Sequence, residues 1–495
     1  MTKAHLNNLL PIWCHLINLS FSEGSIDGIK LAEITPKLKD ISSNHEQFGN
    51  YRPISNLCFV GKLAERVVLR RLNEHMTHNN LHIDKQSGYK KHHSTETLLV
   101  KIANDLLVVA DKKSATVMLL LDLSAAFDTV DHRKLLDILF AEIGIRDTAL
   151  EWFKSFLTKR RQKVRIGEAF SEEVIVEFGV PQGSVLGPVL FNIYIRSIYN
   201  IMSDLGFKIE GYADDHQVYK GFFPIFQVKV LVDDIKRCFS RISDWMKCHF
   251  LCLNPTKTQI MVLGSDSVLE QIGIHGVVLD CGTCIRFKST CKNLGVHFDS
   301  GLTFDTQISS TVSKCTSTLR KLYRMKFYLD TSQKKILTCA LILSTLDYCN
   351  SLYYGINKQL INKLQSVQNS AARLIFGRRK HDSTSDSLKS LHWLRVEERI
   401  CYKLILMVFK CIQAKAPSYL SAIIRFSGSH VHSDLIVPRS YTHYGDRSFV
   451  HAGPKLWNSL PKHLKVIVDI NVFKRQLKGY LFNNYDQYMQ KVRMR

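Results

Sequence analysis

Three aspartates are the residues of this chain best suited to chemistry. Asp122 follows a short apolar run in TVMLLLDL (116–123), and Asp214 and Asp215 adjoin one another within FKIEGYADDHQVY (207–219). Clustered carboxylates repel one another and are costly to desolvate, which favours a bound cation, and hard oxygen ligands select magnesium or, as a substitute, manganese. Two such ions about 4 Å apart can activate a hydroxyl and stabilise a pyrophosphate leaving group. An isolated Asp-Asp pair is more often an ordinary solvated turn, so the surroundings must decide.

Short strands and amphipathic helices surround these aspartates. The continuous apolar run 116–123 predicts a strand buried on both faces, and 207–219 predicts two short strands joined at Ala213, Asp214 and Asp215. Neighbouring strands of one sheet would bring the distant aspartates together. The other predicted elements are an amphipathic helix over 60–76, a hairpin over 163–179, an apolar helix over 189–202 and a helix over 228–245.

The last third of the chain is predicted to be mainly helical and basic. A polar and charged stretch at 377–387 indicates a surface connection, with a small separate module after it. The basic residues that begin this region are Lys314, Arg320, Lys321, Arg324, Lys326, Lys334 and Lys335.

Charge and length restrict the class of protein. With 495 residues and 45% hydrophobic side chains, the chain can bury a large core and should form several domains or subdomains. Its 67 Lys and Arg against 44 Asp and Glu favour a polyanionic partner, nucleic acid first and an anionic membrane surface second. No apolar run reaches the roughly 20 residues that span a bilayer, and the N-terminus is unlike a signal peptide. We therefore expect an intracellular protein, in the nucleus and cytoplasm, without a membrane partner.

The cysteines suggest reduced thiols. Thirteen are scattered along the chain, an odd number with no disulfide framework. Cys281, Cys284 and Cys291 contain a CxxC pair, but a second pair at zinc spacing is missing, so free cysteines are the favoured interpretation.

Three motifs in order resemble the central motifs of reverse transcriptases. They are LLLDLSAAFDTVDH (119–132), GVPQGSVLGPVLFNIYI (179–195) and GYADDHQVY (211–219). The flanking segments at 50–68, 86–99, 251–264 and 291–304 resemble finger and lower-palm motifs of LINE-type (non-LTR) retrotransposons, and later segments such as GPKLWNSLPKHL (453–464) resemble jockey-like and chicken-repeat-like elements. The resemblance implies an RNA-directed DNA polymerase that extends a 3′-hydroxyl primer with dNTPs and magnesium.

The resemblance also implies roles for individual residues. Asp122, Asp214 and Asp215 would be the catalytic residues and metal ligands. Phe127 would be the steric gate that excludes a ribose 2′-hydroxyl, with a purely core role as the alternative. The implied nucleotide contacts are Arg52 on the triphosphate, Phe127 on the sugar, Gln182 on the incoming nucleotide and Lys257 on the pyrophosphate, with a plain Gly/Pro turn and a solvated strand charge as alternatives for Gln182 and Lys257.

The implied fold is an α/β right-hand polymerase with fingers, a ferredoxin-like palm and a helical thumb, followed by a small C-terminal module. The expected domains are an N-terminal segment with fingers at 1–115, the palm with interleaved finger elements at 116–304, the thumb at 305–380 and the module at 381–495, with the reverse transcriptase domain overall at about 25–300. The expected partners are an RNA template and a DNA primer or target DNA, whose phosphates the basic stretches, including 159–163 (KRRQK), would bind.

Some features depart from the family pattern. His216 follows YADD where a threonine is expected, and no RNase H constellation is recognisable after residue 300. The resemblance begins almost at Met1, so a separate endonuclease is expected to nick the target, and the chain resembles a truncated copy. The alternative functions are a catalytically inactive nucleic-acid-binding relic and, less favoured, a telomerase-like or intron-maturase-like enzyme.

Overall fold

The computed structural model describes residues 6–39, 43–121, 123–124, 127–253, 258–280, 282–428 and 434–494. The chain divides into two compact units that are each assembled from separate stretches. The first unit comprises Met1–Tyr89, Leu121–His216 and Arg237–Thr258, and the second comprises Lys90–Leu120, Gln217–Lys236 and Gln259–Arg495. The domain limits expected from the sequence remain a prediction.

Strands and helices alternate in the first 300 residues, and helices follow. The strands are β1 (Leu31–Leu38), β2 (Tyr51–Leu57), β3 (Ala115–Leu121), β4 (Leu123–Ser124), β5 (Arg160–Ile166), β6 (Ala169–Phe170), β7 (Val174–Val176), β8 (Lys208–Tyr212), β9 (Asp215–Phe222), β10 (Cys252–Leu253), β11 (Gln259–Leu263), β12 (Gly276–Val278), β13 (Cys284–Arg286), β14 (Thr290–Asn293) and β15 (Val296–Asp299). The helices are α1 (Leu6–Ser22), α2 (Phe59–His78), α3 (Thr95–Asp111), α4 (His132–Ile138), α5 (Asp147–Leu157), α6 (Gly187–Tyr194), α7 (Ser197–Asp204), α8 (Pro224–Cys248), α9 (Asp266–Glu270), α10 (Asp305–Arg324), α11 (Thr331–Thr338), α12 (Ser344–Asp347), α13 (Lys358–Phe376), α14 (Ser385–Ser390), α15 (Val396–Ile412), α16 (Ser418–Ser421), α17 (His443–Arg447), α18 (Phe449–Asn458), α19 (Lys462–Lys465) and α20 (Ile470–Met494).

In the first unit, a sheet is built around β1. This strand pairs antiparallel with β2 and parallel with β5. β5 pairs antiparallel with both β6 and β7, and the turn between β5 and β6 contains Gly167 at a φ of 61°. The hairpin predicted over 163–179 is confirmed. In the same unit α1 contacts α5, and within α5 the rings of Trp152 and Phe156 stack with centroids 5.6 Å apart.

In the second unit, β3 lies between β11 and β9 in one sheet. β3 pairs antiparallel with β11, with Met118 opposite Met261. Val117, Met118 and Leu119 are fully buried, which confirms the predicted strand with two covered faces. β9 begins in the first unit, where it follows β8 after a short turn, and continues into the second.

The predicted helices are confirmed in α2 and α8, with one correction. The apolar helix expected over 189–202 is two helices, α6 and α7. The amides of Arg196, Ile198 and Tyr199 bond to carbonyls three residues earlier, and this tighter winding interrupts the α-helical pattern between them.

The C-terminal half of the second unit is helical, as the sequence predicts. Its core includes Phe409 of α15 stacked on Phe473 of α20, with ring centroids 4.0 Å apart and Trp457 of α18 beside them. Residues 377–384 of the polar stretch connect α13 to α14, and its last three residues begin α14. Among the described helices, none has the length and apolar character needed to cross a membrane.

Candidate active site

The turn between β8 and β9 presents two adjacent carboxylates. Asp214 occupies the turn and Asp215 is the first residue of β9, and both side chains are exposed. Ala213 has a φ of 58°, a left-handed conformation that costs an L-residue roughly 1–2 kcal/mol. Such a conformation persists only where the surroundings hold it, so the contacts of this turn are informative.

Two buried polar side chains contact the turn. Gln86 is fully buried, and its amide bonds both the N–H and the carbonyl of Ala213, at 2.9 and 3.0 Å. His216 is 1% exposed, and its Nδ1 lies 3.0 Å from the carbonyl oxygen of Asp214. Burial lowers the pKa of His216 to about 4, so at neutral pH the ring is neutral and Nδ1–H donates this bond. His216, which stands where the family pattern has a threonine, therefore stabilises the backbone of the turn.

The expected nucleotide contact Gln182 lies in the loop 179–187 of the first unit. The side-chain amide of Gln182 donates to both carboxylate oxygens of Asp128 at 3.0 Å. Partial desolvation raises the pKa of Asp128, and the bonds from Gln182 act in the opposite direction. The carbonyl of Gln182 accepts from the Ser55 amide on β2 at 2.8 Å. Gly183, with a φ of 122°, is needed because a Cβ there would lie 2.6 Å from the Ser55 carbonyl oxygen.

A buried carboxylate holds the start of α6 at the end of this loop. Glu65 of α2 is 2% exposed, and its Oε2 accepts from the Ser184 hydroxyl at 2.5 Å. The same oxygen accepts from the amides of Val185 and Leu186 at 2.6 and 3.0 Å. A carboxylate at a helix N-terminus satisfies amides that have no partner within the helix. Glu65 therefore fixes where the Gln182 loop ends.

Phe127 lies beside the same loop. Its ring is half-buried and stacks on Phe191 of α6, with centroids 4.7 Å apart and planes inclined by 25°. Its carbonyl accepts from the Val180 amide at 2.8 Å. The first unit thus brings Phe127, Asp128 and Gln182 together.

Arg52 lies on the exposed face of β2. In the antiparallel register it is opposite Lys37 of β1, which is also exposed. Two like charges directly opposite one another destabilise a strand pair, and an anion bound between them would relieve the repulsion. The charges of Arg52 and Lys37 therefore suit a phosphate group.

Two predicted site residues, Asp122 and Lys257, lie outside the described residues, as does Cys281. Within the described ranges, no group of three or more His, Cys, Asp and Glu side chains could hold a metal ion. Of the three expected ligands, Asp214 and Asp215 lie within the described residues with exposed carboxylates, whose hard oxygen atoms are of the type that magnesium prefers.

One predicted nucleic-acid contact is wrong in part. Within KRRQK, Arg160 is 4% exposed and donates to the Phe156 carbonyl, so its guanidinium is used inside the fold. Lys159 and Arg161 remain at the surface: Lys159 is exposed, and Arg161 pairs with Glu173 at 2.9 Å.

Several curated proteins are similar to this chain. It is 28% identical over 344 residues to the "Probable RNA-directed DNA polymerase from transposon BS" of Drosophila melanogaster, covering 66% of this chain and 36% of that protein. It is 28% identical over 341 residues to the "RNA-directed DNA polymerase from mobile element jockey" of Drosophila funebris, again covering 66% and 36%. The aligned part spans about a third of the length of these relatives. Apo telomerase from Candida tropicalis aligns at 11% identity with a TM-score of 0.43 over 99% of this chain and 74% of that one, a likeness too remote to carry an argument.

A family model decides the assignment. The model described as reverse transcriptase (RNA-dependent DNA polymerase) matches residues 38–298. That range contains the Asp214–Asp215 turn, the Gln182 loop and the strand that bears Arg52. Because the match covers more than half of the chain, the protein belongs to the reverse transcriptase family.

Proposed function

We propose that this protein is an RNA-directed DNA polymerase of a non-LTR retrotransposon, which extends a 3′-hydroxyl primer with dNTPs on an RNA template. The observation that carries the proposal is the anchored turn at Ala213, which exposes Asp214 and Asp215 in a chain of the reverse transcriptase family. Buried contacts restrain the backbone while the carboxylates stay accessible. A restrained backbone with accessible carboxylates is expected of metal ligands and is not expected of an ordinary mobile surface turn.

Asp214 and Asp215, together with Asp122, would hold divalent magnesium, or manganese as a substitute. Bound ions would activate the primer hydroxyl and stabilise the departing pyrophosphate. The protein's own part is to keep the carboxylates in a fixed arrangement at the turn.

The nucleotide would be bound by residues of the first unit. Arg52, with Lys37 opposite it, would bind the triphosphate through charge-assisted hydrogen bonds. Gln182 would contact the incoming nucleotide, and Phe127, braced by Phe191, would lie against its sugar. Lys257 would protonate the pyrophosphate.

Nucleic acid would be bound by exposed basic and aromatic side chains of the second unit. Lys314, Lys321 and Arg324 are exposed on α10. Phe327 and Tyr328, in the turn after α10, are 86% and 87% exposed. Basic residues bind phosphates in a sequence-independent way, and exposed aromatic rings can stack on bases. The expected partners are the RNA template and a DNA primer or target DNA, which implies activity in the nucleus.

Primer extension on an RNA template with magnesium and dNTPs tests the function. Asp214→Ala should reduce extension by roughly a thousandfold or more while leaving the folded state intact, because a metal ligand is lost. The matched control is Asp204→Ala, which removes an exposed aspartate of the same unit and should extend like the wild type. A folded wild-type protein that binds primed RNA yet extends no primer with either metal would support the inactive nucleic-acid-binding relic instead.

A further inference from the structure

The side chain of Gln86 uses its full hydrogen-bonding capacity around the turn that carries Asp214. Its Oε1 accepts from the amides of Ala213 and Gly88, at 2.9 and 2.8 Å. Its Nε2 donates to the Ala213 carbonyl at 3.0 Å and to the Tyr199 hydroxyl at 3.2 Å. A carboxamide can accept two and donate two such bonds, so this buried group is fully satisfied.

These partners also fix which way the amide points. Two backbone amides face Oε1, and a flipped carboxamide would direct its NH₂ group at both of them. Gln86 therefore binds both the N–H and the carbonyl of Ala213, in the way that the backbone of a neighbouring strand would. Ala213 immediately precedes Asp214. A shorter, purely apolar or purely accepting side chain could not make both contacts.

The backbone around Gln86 reinforces this contact. The Ser87 amide donates to the Gly211 carbonyl at 2.7 Å, and the Gly211 amide donates to the Lys85 carbonyl at 2.9 Å. Gly88 permits the close approach, because a Cβ at that position would lie 2.5 Å from the Ala213 nitrogen. The segment 85–88 thus lies directly along the strand that leads into the turn.

We propose that Gln86 is a positioning residue that holds the Ala213 peptide in its left-handed conformation and so sets the spacing and direction of the Asp214 and Asp215 carboxylates. This inference rests on the proposed polymerase function for its catalytic consequence. Gln86 touches neither substrate nor metal, and it acts through the backbone of the turn. Its loss should therefore alter the rate of the chemical step more than the binding of dNTP or primed template.

The test is Gln86→Met, which keeps a side chain of similar size and removes all four hydrogen bonds. Hydrogen exchange of peptides covering 208–218 should become about tenfold faster or more in the free protein, because the Ala213 amide loses its partner. The rate of nucleotide incorporation at saturating dNTP should fall about tenfold or more, because small misplacements of catalytic groups are costly. KM for dNTP and the Kd for primed template should change by less than about twofold. Tyr199→Phe removes only the hydroxyl that accepts from Nε2 of Gln86 and should give smaller changes in the same direction.

Gln368→Met is the matched control. Gln368 is also fully buried, and its Nε2 donates to the Leu394 carbonyl in the second unit. This variant should lose stability without accelerating exchange at 208–218 and without a lower incorporation rate per folded molecule.

The outcomes separate the two hypotheses. Unchanged exchange at 208–218 in Gln86→Met, or faster exchange with an unchanged incorporation rate, would overturn the positioning role. Failure of the wild type to extend a primer would refute the polymerase function, whereas the exchange measurement would still decide whether Gln86 holds the turn.

Discussion

The Glu65 carboxylate accepts a hydrogen bond of 2.5 Å from the Ser184 hydroxyl, 119 residues further along the chain. The backbone amides of Val185 and Leu186, just before α6, donate to the same oxygen. The buried Glu65 carboxylate of α2 therefore accepts hydrogen bonds from three donors in the Gln182 loop. Its removal would leave the Ser184 hydroxyl and the Val185 amide without this acceptor in a place that water reaches poorly, while the Leu186 amide would keep the Ser184 hydroxyl oxygen at 3.1 Å.

Replacing Glu65 tests how much this contact stabilises the fold. Glu65→Ala should lower the free energy of unfolding by roughly 3 kcal/mol, because buried donors lose their acceptor. Glu65→Gln retains an acceptor oxygen without the charge and should cost about 1 kcal/mol. Chemical denaturation measures both values. Glu74→Ala, on the exposed side of the same helix, should change stability by less than about 0.5 kcal/mol, and equal losses for all three variants would contradict the assigned role.

Arg52→Ala tests the proposed triphosphate contact. KM for dNTP should rise about tenfold, since one charge-assisted hydrogen bond is lost, while the Kd for primed template stays nearly constant. At low salt the unliganded variant should be as stable as the wild type or slightly more so, because Lys37 no longer faces a like charge. Steady-state kinetics and thermal unfolding measure the two effects.

Arg161→Ala is the control for that experiment. Arg161 lies on the same sheet, is exposed and pairs with Glu173. Its loss should leave KM for dNTP unchanged. If both variants raised KM equally, the effect would reflect general positive charge and not a contact made by Arg52.

Local patterns made much of the fold predictable. The apolar run at 116–123 predicted β3, and the two short strands expected within 207–219 are β8 and β9, because strand patterns and turn residues are local properties. Membership of the reverse transcriptase family confirms the predicted fold class, an α/β right-hand polymerase. The roles of Asp214, Asp215, Arg52, Phe127 and Gln182 remain predictions.

The polar residues that support the site were not predicted. Gln86 reaches Ala213 across 127 residues, and a glutamine read in sequence looks like an ordinary solvated side chain. Glu65 did leave a signal, because it shares the buried stripe of α2 with Gly61, Val68, Leu72 and Met76. A charged residue on an apolar helix face needs a hydrogen-bonding or charged partner, but its position on the helix does not identify that partner.

Lowering the pH should destabilise the protein partly through His132. This residue is 7% exposed, and its Nε2 lies 2.8 Å from the Gly179 carbonyl oxygen, just before the Gln182 loop. Burial lowers the pKa of His132, with Arg160 acting in the same direction and both the Gly179 bond and Asp131 opposing it. As pH falls through about 6.5, the unfolded chain takes up a proton that the folded chain resists, so stability decreases toward acid pH.

His132→Gln removes this titration while keeping a donor for the Gly179 carbonyl. Tm measured between pH 8 and pH 5 should therefore fall less steeply in the variant than in the wild type. Replacement of the exposed His78 by Gln should leave the wild-type slope. A slope in His132→Gln as steep as that of the wild type would show that other groups account for the acid sensitivity.

Phe127→Val tests the choice between dNTP and rNTP. The ring is braced by Phe191, which is fully buried, so it cannot easily move aside for a 2′-hydroxyl. The valine variant should lower the ratio of kcat/KM for dNTP to that for the matching rNTP by about tenfold or more, because the obstruction is removed. Phe127→Tyr keeps the ring and its stacking and should retain the wild-type ratio. If Phe127 is only a core residue, Phe127→Val will lower Tm and leave the ratio unchanged, and incorporation of single nucleotides opposite one template base distinguishes these results.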